Sequence, residues 1–314
     1  MTVKEEIRDH SLGGRSHVVS KEQQAFAFDP TIGPVLEIEP GDVVRFETSD
    51  DAIRRLASGE SIMDIGPERL NAVSGPVRVA GAEPGDALRI EVLDIEIERA
   101  WAVWLPGFGR LGTRTDQMRI AETPVEDYRV LLGQGVSVSL EPMIGCVGVA
   151  PADGKGSTMM PAYHFGGNMD LRELSPGATL LLPVQVPGAL LSVGDLHAAM
   201  GQGEPSCISL EAAGAATLRI DLEKDRRLSY PRLRVGSDTL CVGIGETHEA
   251  AYQRALDQAF ELLTEEHGLE PFTAYAYACA RVGMRLGGPA SPAGPGSTIV
   301  LAVVPDPTTT TTTT

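Results

Sequence analysis

Aromatic residues make up only 5% of the 314, with two tryptophans among them. Lysine is scarcer still, limited to Lys4, Lys21, Lys155 and Lys224. Basic residues total 26 against 43 acidic ones, a formal charge of −17. A surface this acidic repels phosphate backbones, so nucleic acid is excluded as a general partner. No window approaches the roughly 18–20 apolar residues of a membrane helix, so no membrane partner is expected. The polar start, MTVKEEIRDHSLGG, lacks the apolar stretch of a secretory signal. Cys146, Cys207, Cys241 and Cys279 stand far apart with no C-x-x-C pair, which argues against a disulfide framework or a zinc knuckle. These absences together point to a reduced, cytoplasmic protein. Several catalytic signatures are missing too. There is no G-x-S-x-G elbow, no G-x-G-x-x-G after a strand, no Walker loop, and no serine-rich glycine loop of the serine–lysine amidases.

What the chain does have is 42% apolar residues, 35 glycines and 22 prolines, enough for a core built from short strands and tight turns. Residues 35–47 and 77–97 each hold two alternating apolar runs around a reversal. The echo is close: Glu39-Pro40-Gly41-Asp42-x-x-Arg45-x-Glu47 against Glu83-Pro84-Gly85-Asp86-x-x-Arg89-x-Glu91. Proline presets φ for a turn and glycine accepts positive φ, so each E-P-G-D leads into a strand. Residues 130–222 continue in short apolar runs bounded by Gly and Pro. After Gly245 the period changes. Ala251, Ala255, Leu256, Ala259, Leu262 and Leu263 share one helical face between Thr247, a cap, and Gly268. A shorter helix over Pro271–Val282 and a strand, STIVLAVVP, follow. The expected fold is mainly β with an α+β C-terminal part: a β-rich body over 1–240, a helix-helix-strand segment over 241–305, and a low-complexity tail over 306–314 ending in Thr308–Thr314.

Chemistry concentrates between 164 and 204, in H-F-G-G-N-M-D at 164–170 and G-D-L-H-A-A-M-G-Q-G-E at 194–204. Asn168 and Asp170 are two apart, as are Asp195 and His197, so on strands each pair faces one side and both members reach one ion. A mixed carboxylate, imidazole and amide set suits zinc or another divalent ion, and an oxygen-only subset suits calcium or magnesium. The same Asn, Asp and Gly composition also belongs to ordinary β-turns, where these side chains bond their own backbone. His164 and Glu204 in the same window add weight to a metal site. His17, His248 and His267 carry little signal, and His10 sits in a polar leader. Cys146 lies in an apolar run and reads as a buried small residue; Cys207 lies nearer the ligand-rich window.

Four blocks, NAVSGPVRVAGAEPGDALRIEV (71–92), EPMIGCVGVAP (141–151), HFGGNMDLREL (164–174) and PVQVPGALLSVGDLHAAMGQGE (183–204), resemble the acetamidase/formamidase family in content, order and spacing. The resemblance covers roughly 35–222, with a looser fit at the helical end. It implies a β-sandwich-like body joined to an α+β part, in a cytoplasmic, homodimeric enzyme that hydrolyses a short, neutral linear amide to carboxylate and ammonia. It further implies a divalent metal, zinc or calcium. Carried onto this chain, the matching positions are Asn168, Asp170, Asp195, His197 and Glu204, with His164 also on the motif. Asp50 or Asp51 matches an acid after the first strand pair. In this expectation Asn168, Asp170, Asp195 and His197 hold the ion, Asp195 and Glu204 are catalytic with Glu204 as the base, and Asp51 and His164 are additional site residues. The chain departs from the family around Phe26 and Phe28, where a tryptophan is expected, and over 100–130. There Trp101, Trp104 and the Gly107–Gly112 turn are either pocket walls or core. Other carbon–nitrogen bonds, in a cyclic amide or a formylated amine, and a non-catalytic ion- or ligand-binding β-protein are the competing expectations.

Overall fold

The computed structural model describes residues 14–288 and 298–308. His10 and the threonines after Thr308 lie outside them. Strands dominate, with helices few and gathered mainly toward the C-terminus. Strand Leu210–Glu223 organises the body. It runs antiparallel to Ala87–Trp104 from Leu210 opposite Ala102 to Glu223 opposite Ala87. Its other edge takes Asp42–Glu47, and then Leu191–Ala199 near its start. Met143–Gly148 and Val73–Val79 pair in turn with Leu191–Ala199, curling the sheet around the buried side chains. Phe46, Leu88, Ile90, Ile144, Leu180 and Leu182 are all buried in one apolar cluster. Each such side chain contributes about 1.5–3 kcal/mol on leaving water.

The two E-P-G-D reversals fold alike. Gly41 and Gly85 take φ of 92° and 101°, which the turn requires and a side chain would resist. Three residues after each glutamate the aspartate turns back: Glu39 N–H donates to Asp42 Oδ2 at 3.0 Å, and Glu83 N–H to Asp86 Oδ2 at 2.9 Å. The strands they launch, Asp42–Glu47 and Ala87–Trp104, both pair with Leu210–Glu223. The internal echo is therefore one local solution used twice on the same central strand.

The helix His248–Glu261 starts where Thr247 Oγ1 accepts the Ala250 N–H. Ala251, Ala255 and Ala259 are buried on strands Asp238–Gly245 and Thr298–Pro305, which pair with each other antiparallel. The close approach needs a glycine below the helix, because a Cβ on Gly243 would sit 2.0 Å from the Ala251 carbonyl oxygen. The expected Thr247–His267 helix changes at Leu262, where a wider π-turn runs to Glu266 and still buries Leu262 and Leu263. A second helix, Pro271–Arg281, follows, capped by Glu270. Among the described residues, no helix is long and apolar enough to cross a membrane.

Candidate active site

Strand Leu191–Ala199 carries Asp195 and His197, and both line one cavity of about 560 Å³. Asn168, at the end of strand Gly166–Asn168, and Asp170 join them there. Gly145 brings the two segments together. Its carbonyl accepts the N–H groups of Met169 and Asp170 at 3.0 and 3.1 Å. A Cβ on Gly145 would lie 2.6 Å from Asp170 Oδ1 and 2.7 Å from Asp195 Oδ2, so only glycine lets both acids close over the strand. Glu204, on the loop after the strand, completes this face and is buried. Asp170, Asp195, Glu204 and the neighbouring Cys207 all have positive φ, between 40° and 59°. Such backbone costs about 1–3 kcal/mol per residue and persists where surrounding structure enforces it.

His197 Nε2 stands 3.5 Å from Asp195 Oδ1, 3.5 Å from Glu211 Oε2 and 3.9 Å from Asp170 Oδ1. Two overlapping ligand sets result, Asp170–Asp195–His197 and His197–Glu204–Glu211, each with donor atoms within 4.8 Å of one another. Burial lifts the Asp170 carboxyl well above the usual range, and the charges of Glu204 and Asp195 push the same way. Burial also raises Glu211. Glu204 is pushed up to about 7, by burial first, with His197 opposing and Glu211 and Asp195 adding to the rise. Burial disfavours the His197 imidazolium, but the carboxylates of Glu211 and Asp195 outweigh it and hold its pKa well above 6.5. Asn168 Oδ1, Asp170 Oδ1 and His197 Nδ1 are buried with no hydrogen-bond partner. Buried polar atoms are rarely left so, and the two oxygens, on residues that line one cavity beside the His197 Nε2 face, mark a place able to take a ligand. A cationic ion with mixed oxygen and nitrogen ligands fits this donor set.

The structure thus brings Asn168, Asp170, Asp195, His197 and Glu204 together. It does not bring Asp51 or His164 into the group. Asp51 lies exposed at the start of helix α1, Asp51–Ala57, paired with Arg54 and Arg55. Its neighbour Asp50 is the buried one, holding Arg54, Arg99 and Trp101. His164 is exposed, 3.2 Å from Gln185 Oε1 and edge-on to Phe165. Two members escaped the sequence reading. Glu211 sits opposite His197 across the strand pair. Asn71 donates from Nδ2 to Asp195 Oδ2 at 3.1 Å and to the Thr158 carbonyl at 3.0 Å, fixing the aspartate. The tryptophans do not line the cavity. Trp101 is buried against Asp50, and Trp104 is partly exposed, its Nε1–H bonding the Leu111 carbonyl. The Gly107–Gly112 turn that follows Trp104 does contribute a wall, through Phe108.

The sequence pattern of the acetamidase/formamidase family matches residues 15–155 and 149–306, which together span nearly the whole described chain. The chain belongs to the acetamidase/formamidase family. It is 26% identical to an acetamidase of Mycolicibacterium smegmatis, over 71% of this chain and 70% of that one. The crystal structure of an acetamidase from Bacillus halodurans superposes with a TM-score of 0.85 at 31% identity, covering 92% of this chain and 97% of its own. An acetamidase from Yersinia enterocolitica does so at 0.81 and 26%, covering 93% and 92%. The acetamidase/formamidase frame accordingly extends through the C-terminal helices and strand, where the sequence blocks fit more loosely.

Proposed function

We propose that this chain is an amidohydrolase that cleaves the carbon–nitrogen bond of small neutral amides, with the cavity floor as its active centre. The observation that supports this is the pair of buried, unpartnered oxygens on Asn168 and Asp170, placed beside the His197 imidazole and three further carboxylates in a family of amidases. Asp170, Asp195 and His197, with Asn168, would hold a divalent ion, the imidazole favouring zinc over calcium. When bound, such an ion supplies a Lewis acid for the amide carbonyl and acidifies water at neutral pH. The remaining steps fall to the chain itself. Glu204, with a pKa near 7, is poised to take a proton from the attacking water and deliver it to the departing nitrogen. Asn71 holds Asp195 in one rotamer through its Nδ2–H. Glu211 keeps His197 oriented from the facing strand. A homodimer in the cytoplasm belongs to the same reading.

Ammonia release from formamide, acetamide and butyramide tests it, on protein of measured metal content with and without chelator. Release that stops on chelation while the far-UV spectrum holds supports the reading. An ion lost with a drop in melting temperature, from a protein that turns over no amide, would instead mark a structural ion in a binding protein.

A further inference from the structure

The cavity is far larger than the amides for which its relatives are named. Its volume of about 560 Å³ is that of nearly twenty waters at ~30 Å³ each. Formamide or acetamide would occupy a small corner and leave the rest wet. The lining is also sharply divided. Polar groups converge at one end, on the floor already described. The remaining lining is mostly apolar and comes from several separate segments, among them Ile53 on α1, Val103 and Phe108 around the Gly107–Gly112 turn, Met159 with Met160, and Ile208 after Glu204. No lysine or arginine lines the cavity among the described residues, and Glu68 is the one charged side chain away from the floor. An acyl group bearing a carboxylate would find no cation there. A neutral apolar one would displace poorly held water from apolar surface. The two methionines add a wall that yields to different shapes.

Resting on the amidase reading above, we infer that the preferred substrate is a primary amide with a bulky apolar acyl group, of about five to eight carbons or an aryl ring. The amide head lies on the acid floor and the acyl group along Ile53, Val103, Phe108 and Ile208. The reaction balances without a further reactant: the C–N bond breaks, water supplies the new C–O bond, and the products are the carboxylate and ammonium. Tail binding adds about fourfold to kcat/KM for each buried methylene.

The test is ammonia release from formamide, acetamide, butyramide, hexanamide and benzamide, with kcat/KM for each. A rise of 50-fold or more from acetamide to hexanamide is the expected result. Hydrolysis of formamide and acetamide with kcat/KM falling along the series overturns this inference and leaves the amidase reading standing. No ammonia from any of them, on metal-loaded protein, overturns both. Filling the wall gives an independent reading: Ile53→Trp and Val103→Phe should each lower the hexanamide-to-acetamide ratio at least tenfold, with circular dichroism confirming the fold. A ratio unmoved in both folded variants removes the tail from this wall.

Discussion

Asp50 and Glu204 are both buried carboxylates, yet their surroundings differ in kind. Asp50 accepts from Arg54 Nε at 2.9 Å, Arg99 Nη1 at 3.1 Å and Trp101 Nε1 at 3.0 Å. Burial works against its charge, but those donors win, and its pKa lies below 3.8. Glu204 accepts from the Ser209 hydroxyl at 3.2 Å and has three other acids around a single imidazole. Burial wins there, and its pKa rises. A carboxylate that serves the fold is supplied with cations by the fold. One left short of them, in company, at the base of a cavity, is available to a ligand or a proton.

Mutating the under-supplied group should have the largest effect, and on activity alone. Asp195→Asn and His197→Ala are each expected to lower kcat by about 10³-fold or more. Melting temperature of the metal-free protein should stay level or rise for Asp195→Asn, since one of several crowded negative charges is gone. A large fall in that temperature with activity kept would reverse the contrast with Asp50. Gly145→Ala comes next. The added Cβ presses on Asp170 and Asp195, and a displacement of that order costs about 10²-fold in turnover and about 1–3 kcal/mol in stability. Parallel kinetics and urea unfolding would show whether both losses appear together.

Asp50→Asn should show the opposite balance: about 2 kcal/mol of stability lost, with kcat/KM within a few-fold of the parent. The sign with pH follows from its lowered pKa. The contribution is present above about 3.8 and is lost as pH falls through the folded-state value. Unfolding measured from pH 6 to pH 3 should therefore be flatter for the variant. Equal slopes for the two proteins would mean that Arg54, Arg99 and Trp101 do not stabilise the charge.

Spacing paired Asp195 with His197 and Asn168 with Asp170, but the same composition fitted ordinary turns, and it was the resemblance to the family that pointed to these positions. Glu204 entered through its motif. Glu211 could not be found this way: it reaches His197 through strand register, and no sequence interval encodes that pairing. Asn71 is a similar case, 124 positions from Asp195. Asp50 and Asp51 are adjacent, and only the docking of α1 against Arg99 and Trp101 decides which is buried. The turns, the helix after Thr247 and the last strand were legible because their signals are local. The apolar wall was not, since several distant segments compose it and each alone reads as loop or core.

The smallest effect expected lies in the twin turns, and it sharpens the comparison by giving Asp50 two lesser counterparts. Asp42 and Asp86 make the same bond back to a glutamate N–H, but their second partners differ. Asp42 accepts from Arg15 N–H at 2.8 Å and pairs with His17 Nε2 at 2.9 Å. Asp86 accepts from Asp225 N–H at 2.9 Å and Lys224 Nζ at 2.7 Å. Burial opposes both charges and the donors outweigh it, so both pKa values are lowered. Asp42→Asn and Asp86→Asn should each cost about 1 kcal/mol and leave kcat unchanged. They should differ in salt dependence. The Lys224 side chain is 55% exposed, and its attraction is screened over about 10 Å at 0.1 M salt, so the cost of Asp86→Asn should shrink as salt rises. The backbone donors to Asp42 are not screened this way, and its cost should hold more nearly constant. Denaturant titrations at 0.05 and 1 M NaCl separate the two. Matching salt dependence would show that the shared backbone bond, and not the second partner, carries the turn's stability.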